Sequence, residues 1–348
     1  MSAETHFPSG GHASNALAAT SARSRSDIAF LRRTFSNTSS LPPKCAQVVQ
    51  DFLYKIDQLR RPSGNARSGF EREYLEICWS IDNAPWYEAA ITPQTKFTKV
   101  KNRYRDVLPY ERTRVHLLNL DDSPEGDYIN ANFVDDHYIA CCAPIPSAIC
   151  DFWHMVWECD VYVILMLTNF VERERLKADL YWGKRGQTVD FEGVHVQLIG
   201  EEDHPASHGF IVRLFKVWCA DDDGVETTSR IIQQLQLTIW PDHGVLQDFR
   251  VIAPMLDMVN TYREEASDQH GVSARVVVHC SAGIGRSGTF IAIDMMLRDI
   301  QQAMASAAGN KEEKLLAALD VLQVVHQIRS QRPGMVQTPE QYEMIYSL

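Results

Sequence analysis

Apolar and polar positions along the chain fall into two regimes that meet near residue 127. Before it, helical spacing prevails. Val48, Val49, Phe52, Leu53, Ile56 and Leu59 recur every three or four residues and predict an amphipathic helix. A second helical stretch over 70–79 carries Tyr74, Leu75 and Cys78 on one side. From 127 onward strand patterns dominate. Residues 127–134 read as a strand, with 138–140 as its partner. Phe152, Trp153, Val156 and Trp157 suit an amphipathic helix, and the unbroken apolar run 161–167 predicts a fully buried central strand. Two hairpins follow, one turning at Glu192-Gly193, the other at Asp223-Gly224 between 210–219 and 225–239. Val276, Val277 and Val278 form another buried strand. Helices are expected over 287–297 and 315–328. A last helix starts at Thr338-Pro339-Glu340-Gln341, with Thr as N-cap, Pro at N1 and Gln at N3. The implied fold class is α/β (α+β): a single domain with a central twisted mixed β-sheet flanked by helices. No internal repeat is visible.

Residues 1–40 break this pattern. They are rich in Ser, Ala, Gly and Thr, with Glu4 and Asp27 the only acids, and read as a disordered tail that ends at Pro42-Pro43. The remaining 41–348 is expected to be the catalytic domain. Net charge over the 348 residues is −11, which argues against nucleic acid or an anionic membrane as the main partner. The longest apolar run is far too short to span a bilayer, so no integral membrane segment is expected. The N-terminus lacks the apolar core of a secretory signal. Eight cysteines show no CxxC pair and no regular spacing, which fits free thiols in a reducing, cytoplasmic setting. A monomer is expected.

The most informative stretch is 278–290, Val-His-Cys-Ser-Ala-Gly-Ile-Gly-Arg-Ser-Gly-Thr-Phe. Cys280 leaves a buried strand, Arg286 closes a loop, and a helix begins at Ser287. Gly283, Gly285 and Gly288 loosen the backbone. A strand, a glycine-rich loop and a helix N-terminus make an anion cradle, because unpaired N–H groups and the positive end of the helix dipole point at one spot. The same donors lower a thiol pKa. Arg286 offers a planar fork for two phosphoryl oxygens, and the hydroxyls of Ser281 and Ser287 are expected to donate near the sulfur. A Cys after a valine run is ordinarily a small buried hydrophobe. Here every neighbouring feature agrees with thiolate chemistry instead.

The segment resembles the signature loop of the classical protein tyrosine phosphatases, phosphotyrosine-specific and of the non-receptor type, through all thirteen residues. The resemblance covers roughly 70–348. It implies phosphotyrosine hydrolysis through a cysteinyl-phosphate on Cys280, with Arg286 as clamp, Ser281, Ala282, Gly283, Ile284 and Gly285 as the phosphate loop, and no metal or cofactor. Ser287 assists the thiolate. Asp242, in Trp240-Pro241-Asp242-His243-Gly244, resembles the mobile general acid and base, although Pro-Asp-x-Gly is by itself a common turn. Gln337 and Gln341 resemble the water-positioning pair. Arg332 is placed to support the loop from behind, or is a plain surface arginine. Tyr104 and Asp106, in Lys-Asn-Arg-Tyr-Arg-Asp-Val, resemble the wall of a deep pocket that stacks on the substrate ring and binds peptide backbone. Glu172 and Lys177 align with the acid that buttresses the arginine and the lysine near the acid loop, or are solvated charges. The expected partners are phosphotyrosine proteins in signalling. His204 and His208 lack a third metal ligand.

The chain departs from the family at Cys142-Ala143-Pro144 (usually Gln-Gly-Pro), Ala178 (Cys), Gly183 (Pro) and Leu246 (Pro). None removes a catalytic group. Two other functions compete. A phosphotyrosine-binding pseudoenzyme would have lost the Cys, Arg or Asp. A lipid or dual-specificity phosphatase would carry lysines where Ala282 and Ile284 stand. An accessible low-pKa thiolate is also open to oxidation, with no resolving cysteine identifiable from sequence.

Overall fold

The computed structural model describes residues 41–61, 67–118, 126–203, 209–220, 226–241, 244–246 and 252–347. The expected tail 1–40, the turn at 223–224, His204, His208 and Asp242 lie outside the described residues.

The helical half opens with α1 (Pro43–Arg60) and α2 (Gly69–Asp82). Pro43 occupies the first turn of α1, where no N–H is needed. The Ser68 hydroxyl accepts from Glu71 N to cap α2. Two single turns follow, α3 (Tyr87–Ala90) and α4 (Lys96–Lys99). Strands β1 (Arg114–His116), β2 (Tyr128–Val134) and β3 (Tyr138–Cys141) precede α5 (Ile149–Glu158). Next come β4 (Val161–Met166), the small hairpin β5 (Val171–Glu172) and β6 (Arg175–Leu176), and β7 (Thr188–Phe191), β8 (Val194–Asp203), β9 (Phe210–Ala220) and β10 (Glu226–Leu237). The chain finishes with α6 (Ile252–His270), β11 (Arg275–His279), α7 (Gly285–Ala305), α8 (Lys311–Ala318), α9 (Val321–Gln331) and α10 (Pro339–Ile345).

Nine strands form one mixed sheet in the order β1-β2-β3-β11-β4-β10-β9-β8-β7. Its centre, β3-β11-β4-β10, is parallel, and both wings are antiparallel. All six residues of β4 are buried, as a strand covered on both faces demands. Beyond an irregularity at Val161, residues of β4 and β11 alternate between two cores. Val163, Leu165, Val276 and Val278 face α6 and α7; Val161, Ile164, Met166 and Val277 face α5. The first turn expected in the antiparallel wing is present: Glu192 and Gly193 both take positive φ, 52° and 96°, the tight hairpin geometry.

Two helix expectations are corrected. Residues 315–328 do not form one helix. The backbone breaks after Ala318, because the Asp320 carboxylate accepts from Gln323 N and starts α9 afresh. The helix after Cys280 begins at Gly285, so Arg286 sits in its first turn, and it runs to Ala305. α6, not among the elements expected from sequence, buries Ile252, Met255, Leu256, Val259, Tyr262 and Ala266 at helical spacing.

Candidate active site

The parallel centre of the sheet delivers β11 to a loop whose far end is the N-terminus of α7, the place where open α/β sheets bind ligands. His279, fully buried, anchors the turn. Its Nδ1–H donates to Cys280 O (3.0 Å), and its Nε2 accepts from the Tyr181 hydroxyl (3.0 Å), which in turn accepts from Gln234. Burial outweighs these contacts and lowers the His279 pKa to about 4, so the ring is neutral. Gly283 then reverses the chain at φ 69°, and any Cβ there would lie 1.9 Å from Cys141 O.

The reversal aims Gly283 N–H at Cys280 Sγ, 3.3 Å away. Burial alone would raise the Cys280 pKa. The Ser287 hydroxyl, the Arg286 charge and the N–H groups of Ser287 and Gly283 overcome it, and the net shift is downward. The buried Ser287 hydroxyl makes no well-formed hydrogen bond in this state, but the thiolate is the charge it is placed to act on. Ser281 behaves differently from expectation. Its hydroxyl donates to Lys177 O (2.6 Å) and accepts from the Tyr104 hydroxyl (2.8 Å), so it ties the loop to the pocket wall and does not serve the sulfur.

Arg286 is held as a fork. Its two terminal nitrogens donate to the two Glu172 oxygens at 2.8 Å each, and Nη1 also donates to Leu167 O (2.9 Å). Glu172 accepts from Thr168 Oγ1 and Asn169 N as well. Burial pulls the Glu172 pKa up, but Arg286 and these donors bring it below the ordinary carboxylate value. Arg332 lies behind the loop, fully buried. It donates to Gly283 O (2.9 Å), Ala282 O (3.2 Å), Asn132 Oδ1 (2.8 Å) and Asn130 Oδ1 (3.1 Å). The loop carbonyls therefore point backward onto a guanidinium, which leaves the other side for N–H groups.

A cavity of about 410 Å³ opens above the sulfur. Of the residues singled out from sequence, it brings together Tyr104, Asp106, Glu172, Lys177, Cys280, Ser281, Ala282, Gly285, Arg286, Gln337 and Gln341. Gly283, Ile284 and Ser287 do not line it, and Asp242 lies outside the described residues. Thr168, Arg175 and Leu176 also line the cavity and were not singled out. Thr168 follows the C-terminal end of β4, a position that parallel-sheet topology marks; Arg175 carried no such signal. Gln337 is fixed by its neighbours: its N–H donates to Gln341 Oε1 (2.9 Å), and its carbonyl accepts from the Tyr74 hydroxyl (2.7 Å). Thr338 caps α10 by accepting from Gln341 N, as expected, but the Gln341 side chain reaches one residue beyond the cap. At Gly183, one of the departures, a Cβ would approach Val189 Cγ2 to 2.6 Å.

A family model described as Protein-tyrosine phosphatase matches residues 98–348. Among curated relatives, receptor-type tyrosine-protein phosphatase eta of Gallus gallus is 34% identical over 288 residues, 81% of this chain and 18% of the relative. Tyrosine-protein phosphatase Lar-like of Caenorhabditis elegans is 36% identical over 303 residues, 86% and 12%. Tyrosine-protein phosphatase 3 of Dictyostelium discoideum is 37% identical over 255 residues, 71% and 24%. The chain thus spans less than a quarter of the length of these relatives. A solved structure described as the basis of the PTPN18 fingerprint on distinct HER2 tyrosine phosphorylation sites superposes with a TM-score of 0.69 and 28% identity. That match covers 86% of this chain and 97% of that one.

Proposed function

The chain belongs to the protein tyrosine phosphatase family, and from that premise we propose that it hydrolyses phosphotyrosine in proteins through a cysteinyl-phosphate intermediate. The observation that carries the reading is the Cys280 sulfur, beneath a cavity walled by Tyr104 and beside an arginine fork set by Glu172. The Cys280 thiolate attacks phosphorus in line with the phenolic oxygen. The sulfur–phosphorus bond forms as the phosphorus–oxygen bond breaks. Loop N–H groups and Arg286 hold the three equatorial oxygens while charge spreads over them. Asp242 gives the departing phenolate its proton. A water placed by Gln337 then attacks the phosphocysteine, Asp242 takes its proton, and inorganic phosphate leaves.

Tyr104 and Asp106 select the substrate by depth and by backbone contact, so a phosphoserine would stop short of the sulfur. Lys177 and Gln341 complete the polar rim. The whole of 41–348 acts as the catalytic unit, as a monomer, on phosphoproteins in cytoplasmic signalling. No helix among the described residues is long and apolar enough to cross a membrane. The test is turnover of a phosphotyrosine peptide by Cys280→Ser and Asp242→Ala proteins. Cys280→Ser should bind the peptide and release no phosphate. Asp242→Ala should lose about 10²–10⁴-fold in kcat. Phosphate release by Cys280→Ser at the parental rate would overturn the reading.

A further inference from the structure

Cys142 occupies one of the positions where this chain departs from its family, and the fold sets it directly beside Cys280. Strands β3 and β11 run parallel, with Val278 opposite Ala140 and His279 opposite Cys141. The register continues past the strand ends, since Ala143 N donates to Ser281 O at 3.0 Å. Cys142 and Cys280 are therefore the next pair across the ladder. Adjacent strands lie about 4.7–4.9 Å apart, within the roughly 4.4–6.8 Å of Cα separation that a disulfide spans.

Face as well as register agrees. Tyr138 and Ala140 of β3, Val276 and Val278 of β11, and Cys280 just after it lie in the same core; Ile139 and Cys141 lie in the opposite one. Strand alternation puts Cys142 on the Cys280 side and Cys141 on the other. The Cys142 thiol already touches the loop: it donates to Ala282 O (3.2 Å), and Arg332 Nη2 sits 3.7 Å from its sulfur. Both sulfurs are free thiols in this state.

We propose that Cys142 is the resolving cysteine of this site, closing on oxidised Cys280 as a disulfide that disables the loop and protects its nucleophile from further oxidation. The inference rests on Cys280 being the site's reactive thiolate. The Cys280 thiolate attacks hydrogen peroxide, breaking the O–O bond, to give Cys280 sulfenic acid and hydroxide. The Cys142 sulfur then attacks the sulfenic sulfur; its proton and the sulfenic hydroxyl leave as water. Each cysteine sulfur gives up one electron, and the peroxide oxygens take both. Burial keeps Cys142 protonated at rest, so it does not compete as a nucleophile, and Arg332 stabilises its thiolate as it forms. Closure draws Cys280 Sγ from the Gly283 N–H and takes the Cys142 thiol from the Ala282 carbonyl, which keeps its bond to Arg332. Two equivalents of thiol reverse it.

The test exposes the full chain to graded hydrogen peroxide, alkylates remaining thiols, digests without reduction, and maps cysteines by mass spectrometry. Turnover of an aryl phosphate is followed in parallel. A peptide pair joining Cys142 to Cys280, two hydrogens lighter than its free thiols, should grow as activity falls, and dithiothreitol should reverse both. In Cys142→Ser and Cys142→Ala proteins the same dose should drive Cys280 to sulfinic and sulfonic acids and cut the recoverable activity several-fold. The proposal is overturned if Cys142 alkylates fully while Cys280 is masked, as in a cyclic sulfenamide with Ser281 N. It is also overturned if both variants recover as the parent does. Failure of the phosphatase reading is separately visible, as absent turnover in the untreated reduced protein whatever the disulfide map.

Discussion

Gly288→Ala separates packing from chemistry, because its new methyl group would not touch the substrate cavity. Gly288 lies in the first turn of α7, where a Cβ would meet Val336 N at 2.5 Å and the Met335 backbone at 3.1–3.2 Å. Reaching ordinary contact at 3.4 Å requires a shift of about 0.9 Å. The segment has little freedom to give. Val336 N–H donates to Ile284 O, Arg329 holds the carbonyls of both Met335 and Val336, and Val336 already sits at φ 59°, a strained value for a β-branched residue. Alanine gains up to about 1 kcal/mol in helix propensity. Overpacking against backbone costs about 1–3 kcal/mol, so the net is destabilising, with Tm down by a few degrees. The displacement passes to the next residue, Gln337. A misplacement of about 1 Å costs roughly 10²-fold in rate. If Gln337 positions the hydrolytic water, the loss falls on the second step. Rapid-quench kinetics with an aryl phosphate should then show a burst of phenol followed by a slow steady state. Parental turnover, no burst and an unchanged Tm would refute the reasoning.

Three further outcomes follow from the same geometry. Glu172→Gln removes the charge that fixes the Arg286 fork and should lower kcat/KM by about 10²-fold, measured with a phosphotyrosine peptide. Parental kcat/KM would show that Arg286 orients without it. Ser287→Ala should raise the Cys280 pKa, since Ser287 is the largest of the lowering influences; the pH midpoint of Cys280 alkylation by iodoacetamide reports it, and an unmoved midpoint would count against that role. His279 is neutral when folded, its pKa near 4 against an ordinary 6.5. The stability this confers is present above pH 6.5 and is lost as pH falls toward 4, by about 3 kcal/mol. Urea midpoints at pH 7 and 4.5 should diverge less in His279→Gln than in the parent. Equal divergence would contradict the assignment.

Much of this was legible along the chain because it is local. The glycines, the cysteine and the arginine of 278–290 lie within one strand–loop–helix passage, and the unbroken apolar run of 161–167 needs no partner to be read. The Thr338-Pro339 start of α10 is likewise written in consecutive residues. What the residues alone left open or misplaced depends on groups that meet only after folding. Glu172 and Arg286 are 114 positions apart, and Glu172 in sequence is one charge in a polar stretch. Arg332 is buried only because Gly283, Ala282, Asn130 and Asn132 supply its acceptors from two separate segments. The Ser281 hydroxyl was misassigned because its acceptor, Lys177 O, arrives from the β6 end. The break between α8 and α9 was hidden by apolar residues that continue on both sides of Asp320.

The central claim is that Cys280 carries the phosphoryl group. It is tested most directly by rapid acid quench of the Gln337→Ala protein mixed with a ³²P-labelled phosphotyrosine peptide, followed by mapping of the label. The account predicts label on the peptide containing Cys280 and none in the Cys280→Ser protein. Phosphate release without any label on Cys280, or label on another residue, would contradict it.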